Sequence, residues 1–321
     1  MKRFLSISSL FILSLSLSAQ NKIDSGISES EIVLNTSTGQ IHGTLLIPGK
    51  AKKIPLVIII AGSGPTDRNG NSPLGVQSDT YKMLAHEMAK NNIASLRFDK
   101  RGIGKSQPAM KSESELLFET YINDVNGWIS LMKSDKRFSS IIVLGHSEGS
   151  LIGMVAARQS GTDGYISVSG IGKPADILLK EQLEKQLPQQ LMDESNKILD
   201  SLKNGKKVTK VNPALIALYR PSVQPYMISW LKYDPAREIS KLKMPVLIIQ
   251  GTTDIQVTVN DAGLLSAALP DAKLLIIENM NHVLKESDSD VHNNMETYKN
   301  PNLPLKTGLT EGIVGFIKSI K

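Results

Sequence analysis

The segment Gly145-His146-Ser147-Glu148-Gly149 places a serine between glycines two residues before and two after it. It follows the apolar, β-branched run Ser140-Ile141-Ile142-Val143-Leu144 and precedes a helix-like apolar stretch from Ser150 to Arg158. A strand that turns sharply into a helix forces the turn residue into a strained backbone and exposes its side chain at the C-terminal edge of the sheet. The flanking glycines remove Cβ atoms that would collide in so tight a turn. A serine held there can attack a carbonyl carbon if a histidine takes its proton and an acid orients that histidine.

The chain has five histidines. His42 lies in an early hairpin, His86 in a helix and His292 in a polar segment. His146 lies inside the turn, with its side chain expected to point away from Ser147. His282 follows a late strand, in the loop Glu278-Asn279-Met280-Asn281-His282, at the sheet edge where sites form. It is the expected general base. The expected acid is Asp254, in Gly251-Thr252-Thr253-Asp254 after the strand Met244–Gln250. Asp261 opens a helix and has a capping explanation, and Asp99 precedes the serine. The order Ser147, Asp254, His282 is the one expected of a strand–turn–helix serine site. The tetrahedral intermediate needs backbone donors for its oxyanion. Those expected are the amide of Glu148, at the start of the helix, and that of Ser63, in Gly62-Ser63-Gly64-Pro65 after the strand Ile54–Ala61.

The elements that must position these groups alternate between two periods. Glu31–Thr36 and Gln40–Ile47 read as a hairpin, and Ile54–Ala61, Ile93–Phe98, Gly164–Val168, Met244–Gln250 and Ala272–Ile277 as strands. All but the hairpin and Ile93–Phe98 have buried-strand character. Asp79–Asn91, Glu113–Lys133, Asp261–Leu269 and Gly308–Ile320 read as helices. This is an α/β chain, with a mostly parallel central sheet and helices on both faces. Residues 172–242 break the rhythm. Leu179, Leu183, Leu187 and Leu191 recur every four residues, Pro188 interrupts them, and Pro213, Pro221, Pro225 and Pro235 punctuate the rest. Roughly 70 residues is far more than one crossover needs, so the stretch reads as an inserted helical cap. The core is then 20–171 and 243–321. Met227 and Trp230, with Leu231 and Tyr219, are the cap residues expected to line the cleft.

Met1-Lys2-Arg3 followed by an apolar, serine-rich run to Leu17-Ser18-Ala19 describes a signal peptide over residues 1–19, and hence a periplasmic or secreted protein with no integral membrane segment after cleavage. The chain contains no cysteine, so disulfides are excluded. The formal net charge is +6, and its densest cluster, Lys203, Lys206, Lys207 and Lys210, has no interleaved aromatics; no nucleic-acid surface is expected. No metal-ligand spacing is present. Gly102-Ile103-Gly104 is followed by Lys105-Ser106-Gln107-Pro108, which breaks any helix start and argues against a dinucleotide site. No cofactor is expected.

Over roughly residues 30–320 the chain resembles the α/β-hydrolase superfamily. The serine turn, the acid after one late strand and the histidine after the next carry the likeness. The segments Gly62 to Gly70, Arg97 to Ser106 and Asn279 to His282 are similar to a bacterial carboxylesterase group related to dienelactone hydrolases and serine aminopeptidases. The resemblance implies a triad of Ser147, Asp254 and His282, oxyanion amides at Ser63 and Glu148, and hydrolysis of short-acyl esters without a cofactor. Two features depart from it. Ala61-Gly62 stands where many members carry His-Gly, and Glu148 is bulky and charged where some relatives have a small residue. Asp67 and Arg68 either position the oxyanion loop, meet the substrate, or form a plain surface ion pair. The expected function is an exported serine carboxylesterase acting on a small ester. The alternatives are a serine peptidase, with Asp193, Glu194, Asp200 or Asp234 of the cap gripping a peptide amine, and a catalytically silent binding protein.

Overall fold

The computed structural model describes residues 26–49, 52–184 and 186–320; the signal-peptide pattern of residues 1–19 lies outside them. In chain order the strands and helices are β1 (Ile27–Thr36), β2 (Gly39–Pro48), β3 (Ile54–Ile60), β4 (Asn71–Ser72), β5 (Val76–Gln77), α1 (Thr80–Lys90), β6 (Ala94–Phe98), α2 (Phe118–Lys133), β7 (Phe138–His146), α3 (Glu148–Ser160) and β8 (Gly164–Val168). The inserted stretch carries α4 (Ala175–Glu184), α5 (Gln189–Lys203), α6 (Ile216–Tyr219), α7 (Gln224–Trp230) and α8 (Pro235–Ile239). The chain then returns through β9 (Val246–Gly251), α9 (Val259–Ala268), β10 (Lys273–Ile277), α10 (Val291–Thr297) and α11 (Leu309–Ser319).

Eight strands form one sheet in the order β1-β2-β6-β3-β7-β8-β9-β10. β2 runs antiparallel to β1 and β6, and every other pairing is parallel. Alternation along a strand sends successive side chains to opposite faces. In β3, Leu56, Ile58 and Ile60 join one apolar cluster with Phe118 and Trp128 of α2 and Leu151 of α3. Val57 and Ile59 join the other, with Tyr81 and Leu84 of α1 and Ile313 and Phe316 of α11. Both faces are therefore covered, which is why the central strands read as continuous apolar runs.

Three local outcomes differ from the sequence reading. The helix expected from Glu113 starts at Phe118, after a single 3-10 turn at Glu113–Glu115. Glu113 is drawn aside by Arg220 and Ser222 of the inserted stretch, and the Phe118 N–H is taken by the Ser229 hydroxyl at 2.8 Å. β10, expected to be buried, is the edge strand: Leu274 and Ile276 are 44% and 37% exposed. The β4–β5 hairpin and α10 were not anticipated. Pro188 does separate two helices, standing at the N-cap of α5. No helix among the described residues is long and apolar enough to cross a membrane.

Trp128 is the largest fully buried side chain and packs on Phe98, the last residue of β6, with ring centroids 5.8 Å apart. Trp128→Ala should cost about 3–5 kcal/mol of folding stability, read by denaturant unfolding. A loss below about 1 kcal/mol would contradict the packing described here.

Candidate active site

Ser147 occupies φ 55°, ψ −123°, between the end of β7 and the first turn of α3. A non-glycine residue at positive φ is costly, and it persists only where the surroundings enforce it. Here α3 is pressed against β3. A Cβ on Gly149 would lie 2.5 Å from the Ile60 carbonyl oxygen and 2.6 Å from that of Ala61, and one on Gly145 would overlap the Gly149 backbone. The Ser147 N–H donates to the Val168 carbonyl at the end of β8, 3.0 Å away. Thus the elbow is clamped from both neighbouring strands.

His282 and Asp254 come together on the loops after β10 and β9. The His282 Nδ1–H donates to Asp254 Oδ2 at 2.8 Å. Asp254 Oδ1 accepts the backbone N–H groups of Gln256 and Val257, each at 2.9 Å, and Oδ2 also accepts Gln250 Nε2 at 3.2 Å. Burial alone would raise the Asp254 carboxyl. The imidazole and these donors outweigh it and hold the group below its ordinary 3.8. The two loops are laced to each other. Thr253 N–H donates to the Met280 carbonyl, Asn281 bonds Asn294 and Thr297 of α10, and Asn294 Nδ2 reaches the Thr253 carbonyl. Ser147 and His282 line one cleft, with no direct hydrogen bond between their side chains; contacts of this kind tighten once substrate is bound.

His146 holds the histidine loop from behind. Its Nε2–H donates to the His282 carbonyl at 2.9 Å, so Nδ1 is the acceptor for the Tyr81 hydroxyl at 2.8 Å. The Tyr81 oxygen in turn accepts the Gly62 N–H at 3.3 Å. Full burial, and then the neighbouring His282, push the His146 imidazole down to about 3, so it is neutral.

The loop after β3 is equally fixed. The Gly62 carbonyl accepts Lys100 Nζ at 2.5 Å. Arg68 pairs with Asp99 at 2.7 Å through its guanidinium and at 2.9 Å through its backbone N–H. Asp67 Oδ1 accepts the N–H groups of Asn69 and Asn71. Asp67 and Arg68 therefore organise the loop, and neither lines the cleft with Ser147. Glu148, the unusual residue after the nucleophile, is buried, its carboxylate between Lys100 (3.4 Å) and the Tyr226 hydroxyl (2.7 Å). The backbone N–H groups of Ser63 and Glu148 have no hydrogen-bond partner among the described residues.

The cleft has a volume of about 260 Å³. Its walls come from the loop after β3 (Gly62, Ser63, Gly64, Pro65, Thr66), the β4–β5 hairpin (Ser72, Leu74, Val76), Val283 and Tyr298. Gln77 N–H of the hairpin donates to the Tyr298 carbonyl at 2.7 Å, closing the rim. This corrects the expectation that Met227 and Trp230 line the site. Both are buried in the core, as are Leu231 and Tyr219. Trp230 stacks on Phe118 with centroids 6.3 Å apart, and no residue of 172–242 lines the cleft. The hairpin was missed because its strands are two residues each, too short for a period to show. Asn281 was visible in the Asn279-Met280-Asn281-His282 segment, whereas Tyr81 and Lys100 carried no separate signal. Among the described residues, no group of three or more His, Cys, Asp or Glu side chains is arranged to hold a metal ion.

The sequence profile of the family described as serine aminopeptidase, S33, matches residues 74–288, more than half of the chain. Esterase EstD of Thermotoga maritima is 27% identical over 261 residues, which are 80% of this chain and 60% of that protein. The chain thus spans about 60% of the length of this curated relative. Among solved structures, Est1E from Butyrivibrio proteoclasticus superposes with a TM-score of 0.58 at 18% identity, covering 90% of this chain and 99% of its own. The α/β hydrolase GrgF from Penicillium sp. sh18 gives 0.60 at 16% identity, covering 91% and 99%. At such identities the likeness carries the fold, which is that of the α/β-hydrolases.

Two predictions follow from the geometry. Asp254→Asn, which removes the carboxylate from His282 Nδ1, should slow fluorophosphonate labelling of Ser147 by on the order of 10³–10⁴-fold; labelling within about tenfold of wild type would contradict the pairing. The second concerns pH. Unfolding exposes the His146 imidazole, which then takes a proton below its ordinary 6.5, whereas in the fold it does so only near about 3. The unfolded chain binds more protons in that window, so this group's contribution is full above 6.5 and is lost as pH falls toward 3. His146→Gln should lower Tm at pH 7, with the gap to wild type narrowing as pH falls. A gap constant with pH would contradict a buried neutral imidazole.

Proposed function

Because the chain belongs to the serine aminopeptidase, S33, family of the α/β-hydrolases, we propose that it is a serine hydrolase that cleaves carboxylic esters of short acyl chains through Ser147, His282 and Asp254. The observation that carries this reading is the 2.8 Å His282–Asp254 hydrogen bond facing the same cleft as the strained Ser147.

In this mechanism Ser147 Oγ attacks the ester carbonyl carbon while His282 Nε2 takes the hydroxyl proton. The C–O π pair moves onto the carbonyl oxygen, which the Ser63 and Glu148 N–H groups receive. Collapse of the intermediate breaks the bond to the alkoxide, and His282 returns the proton to it. Water, deprotonated by His282, then attacks the acyl carbon; the bond to Ser147 Oγ breaks as His282 returns that proton to Oγ, and the acid is released. Asp254 stays ionised and stabilises the imidazolium. His146 does not exchange protons in this cycle: it is neutral and both its nitrogens are engaged.

A cleft of about 260 Å³ is at or below the small end of ligand pockets, roughly 300–1,000 Å³, which supports a short acyl group. The name of the Thermotoga relative supports an ester substrate. The family description raises the peptide alternative, and the lining argues against it: none of the residues lining the cleft is acidic, so nothing there would pair with a peptide ammonium. The cap carboxylates are otherwise engaged. Asp193 accepts from Gln189, Glu194 from Asn212 and Asp200 from Lys180, and Asp234 caps α8. An intact serine, histidine and acid likewise oppose a silent binding protein. The pattern of residues 1–19 supports export to the periplasm or medium.

Hydrolysis of p-nitrophenyl esters from acetate to palmitate should peak at the short end, and Ser147→Ala should lower kcat by on the order of 10⁴-fold or more. Turnover unchanged in that variant, or release of an aminoacyl arylamide in preference to every ester, would overturn the assignment.

A further inference from the structure

Lys100, two residues beyond β6, is 2% exposed and takes no part in the triad. Its Nζ donates to the Gly62 carbonyl at 2.5 Å, lies 3.4 Å from Glu148 Oε2, and stands 5.0 Å from the centre of the Tyr121 ring. A buried ion pair adds little net stability over an apolar pair of the same volume, so its place between these particular partners calls for another reason.

The Gly62 carbonyl and the Ser63 N–H belong to one peptide unit. That unit is planar and trans, so its C=O and N–H point in opposite directions. An ammonium that fixes the carbonyl therefore aims the N–H, and the Ser63 N–H is one of the two donors assigned above to the oxyanion. Gly62's own N–H is held on the Tyr81 hydroxyl, which fixes the preceding peptide plane as well. Donation to an amide carbonyl also polarises that amide and strengthens its N–H as a donor. The other donor is the Glu148 N–H, and the Glu148 carboxylate is anchored by the same Lys100 on one side and by Tyr226 on the other. One side chain thus grips the residues on both sides of the developing negative charge.

We propose that Lys100 is the positioning residue of the oxyanion hole, aiming the Ser63 N–H through the Gly62 carbonyl and tethering Glu148, and with it the second donor, to the same point. The inference rests on the reading of Ser147 as nucleophile. It gives the charged Glu148 a purpose, as the anion that allows an ammonium to be buried at this place.

The test compares Lys100→Met/Glu148→Gln with wild type, so that neither a carboxylate nor an ammonium is left buried without its partner. p-Nitrophenyl acetate gives kcat and KM, and an alkyl trifluoromethyl ketone, whose adduct with a serine hydroxyl carries the oxyanion, gives an inhibition constant. Removing Lys100 should lower kcat and weaken the ketone by at least about 30-fold each, against the 10²–10³ associated with deleting a donor outright. KM should stay within about threefold. kcat and ketone affinity unchanged between the double variant and wild type would overturn the role of Lys100. Loss of fold in the double variant would also overturn it, by making Lys100 a stability residue. A wild-type protein that neither turns over the ester nor binds the ketone would instead remove the underlying reading of Ser147.

Discussion

Helix α3 lies against β3 with no room for a side chain at the crossing: Gly149 meets the Ile60 and Ala61 carbonyls directly. That approach fixes three things together. It holds Ser147 at positive φ, it starts α3 directly behind Ser147, and it brings the end of β3, with the loop that carries Ser63, alongside. A larger residue at 145 or 149 would push the helix away and separate Ser147 from the loop that carries Ser63. The strain at one residue is balanced by two interfaces that the sheet already requires, the β3–β7 pairing and the packing of Leu151 and Ile152 into the core.

Around this fixed point the site is assembled largely from buried polar groups that bond one another in defined directions, although Gln250 Oε1 and Thr253 Oγ1 stand without a partner. Two chains of hydrogen bonds converge. One runs from Asn294 and Asn281 through the loops of Asp254 and His282. The other runs from His282's carbonyl through His146 and Tyr81 to Gly62, and on to Lys100 and Glu148. The second chain links the base loop to the oxyanion loop without passing through solvent. In a low-dielectric interior such a network is rigid when satisfied and costly when broken. Preorganised dipoles of this kind need little reorientation as charge develops.

Much of the molecule was legible in the order of its residues, and for physical reasons. Strands buried on two faces are mostly apolar, so β3, β7, β8 and β9 announce themselves, with Ser167 and Gln250 the buried polar exceptions in β8 and β9. The elbow needs two glycines, and both are written at the required spacing. Asp254 and His282 follow late strands, where a parallel sheet presents its chemistry. What stayed hidden depends on contacts between distant segments. β10 has the composition of a buried strand but no neighbour beyond it. The first turn expected in α2 gives way to Glu113's pairing with Arg220. Met227 and Trp230 looked like cleft residues because they stand within 172–242, yet Trp230 stacks on Phe118 and Met227 is buried in the same core cluster. The wall of the cleft falls to a hairpin of two-residue strands whose turn, with Gly75 at φ 93°, leaves Leu74 79% exposed. Nothing in the local sequence marks Lys100 as buried either; only the fold brings Gly62 and Glu148 to it.

The most direct measurement is to trap the covalent intermediate. The protein is mixed with excess p-nitrophenyl acetate, quenched in acid within milliseconds, and its intact mass and peptide map are recorded. A mass increase of one acetyl group, confined to the peptide bearing Ser147, absent from Ser147→Ala and decaying at the steady-state rate, is the outcome the proposed mechanism predicts. Acetylation that persists at the same level in Ser147→Ala, or that maps to a lysine or to His282 while turnover continues, would contradict it.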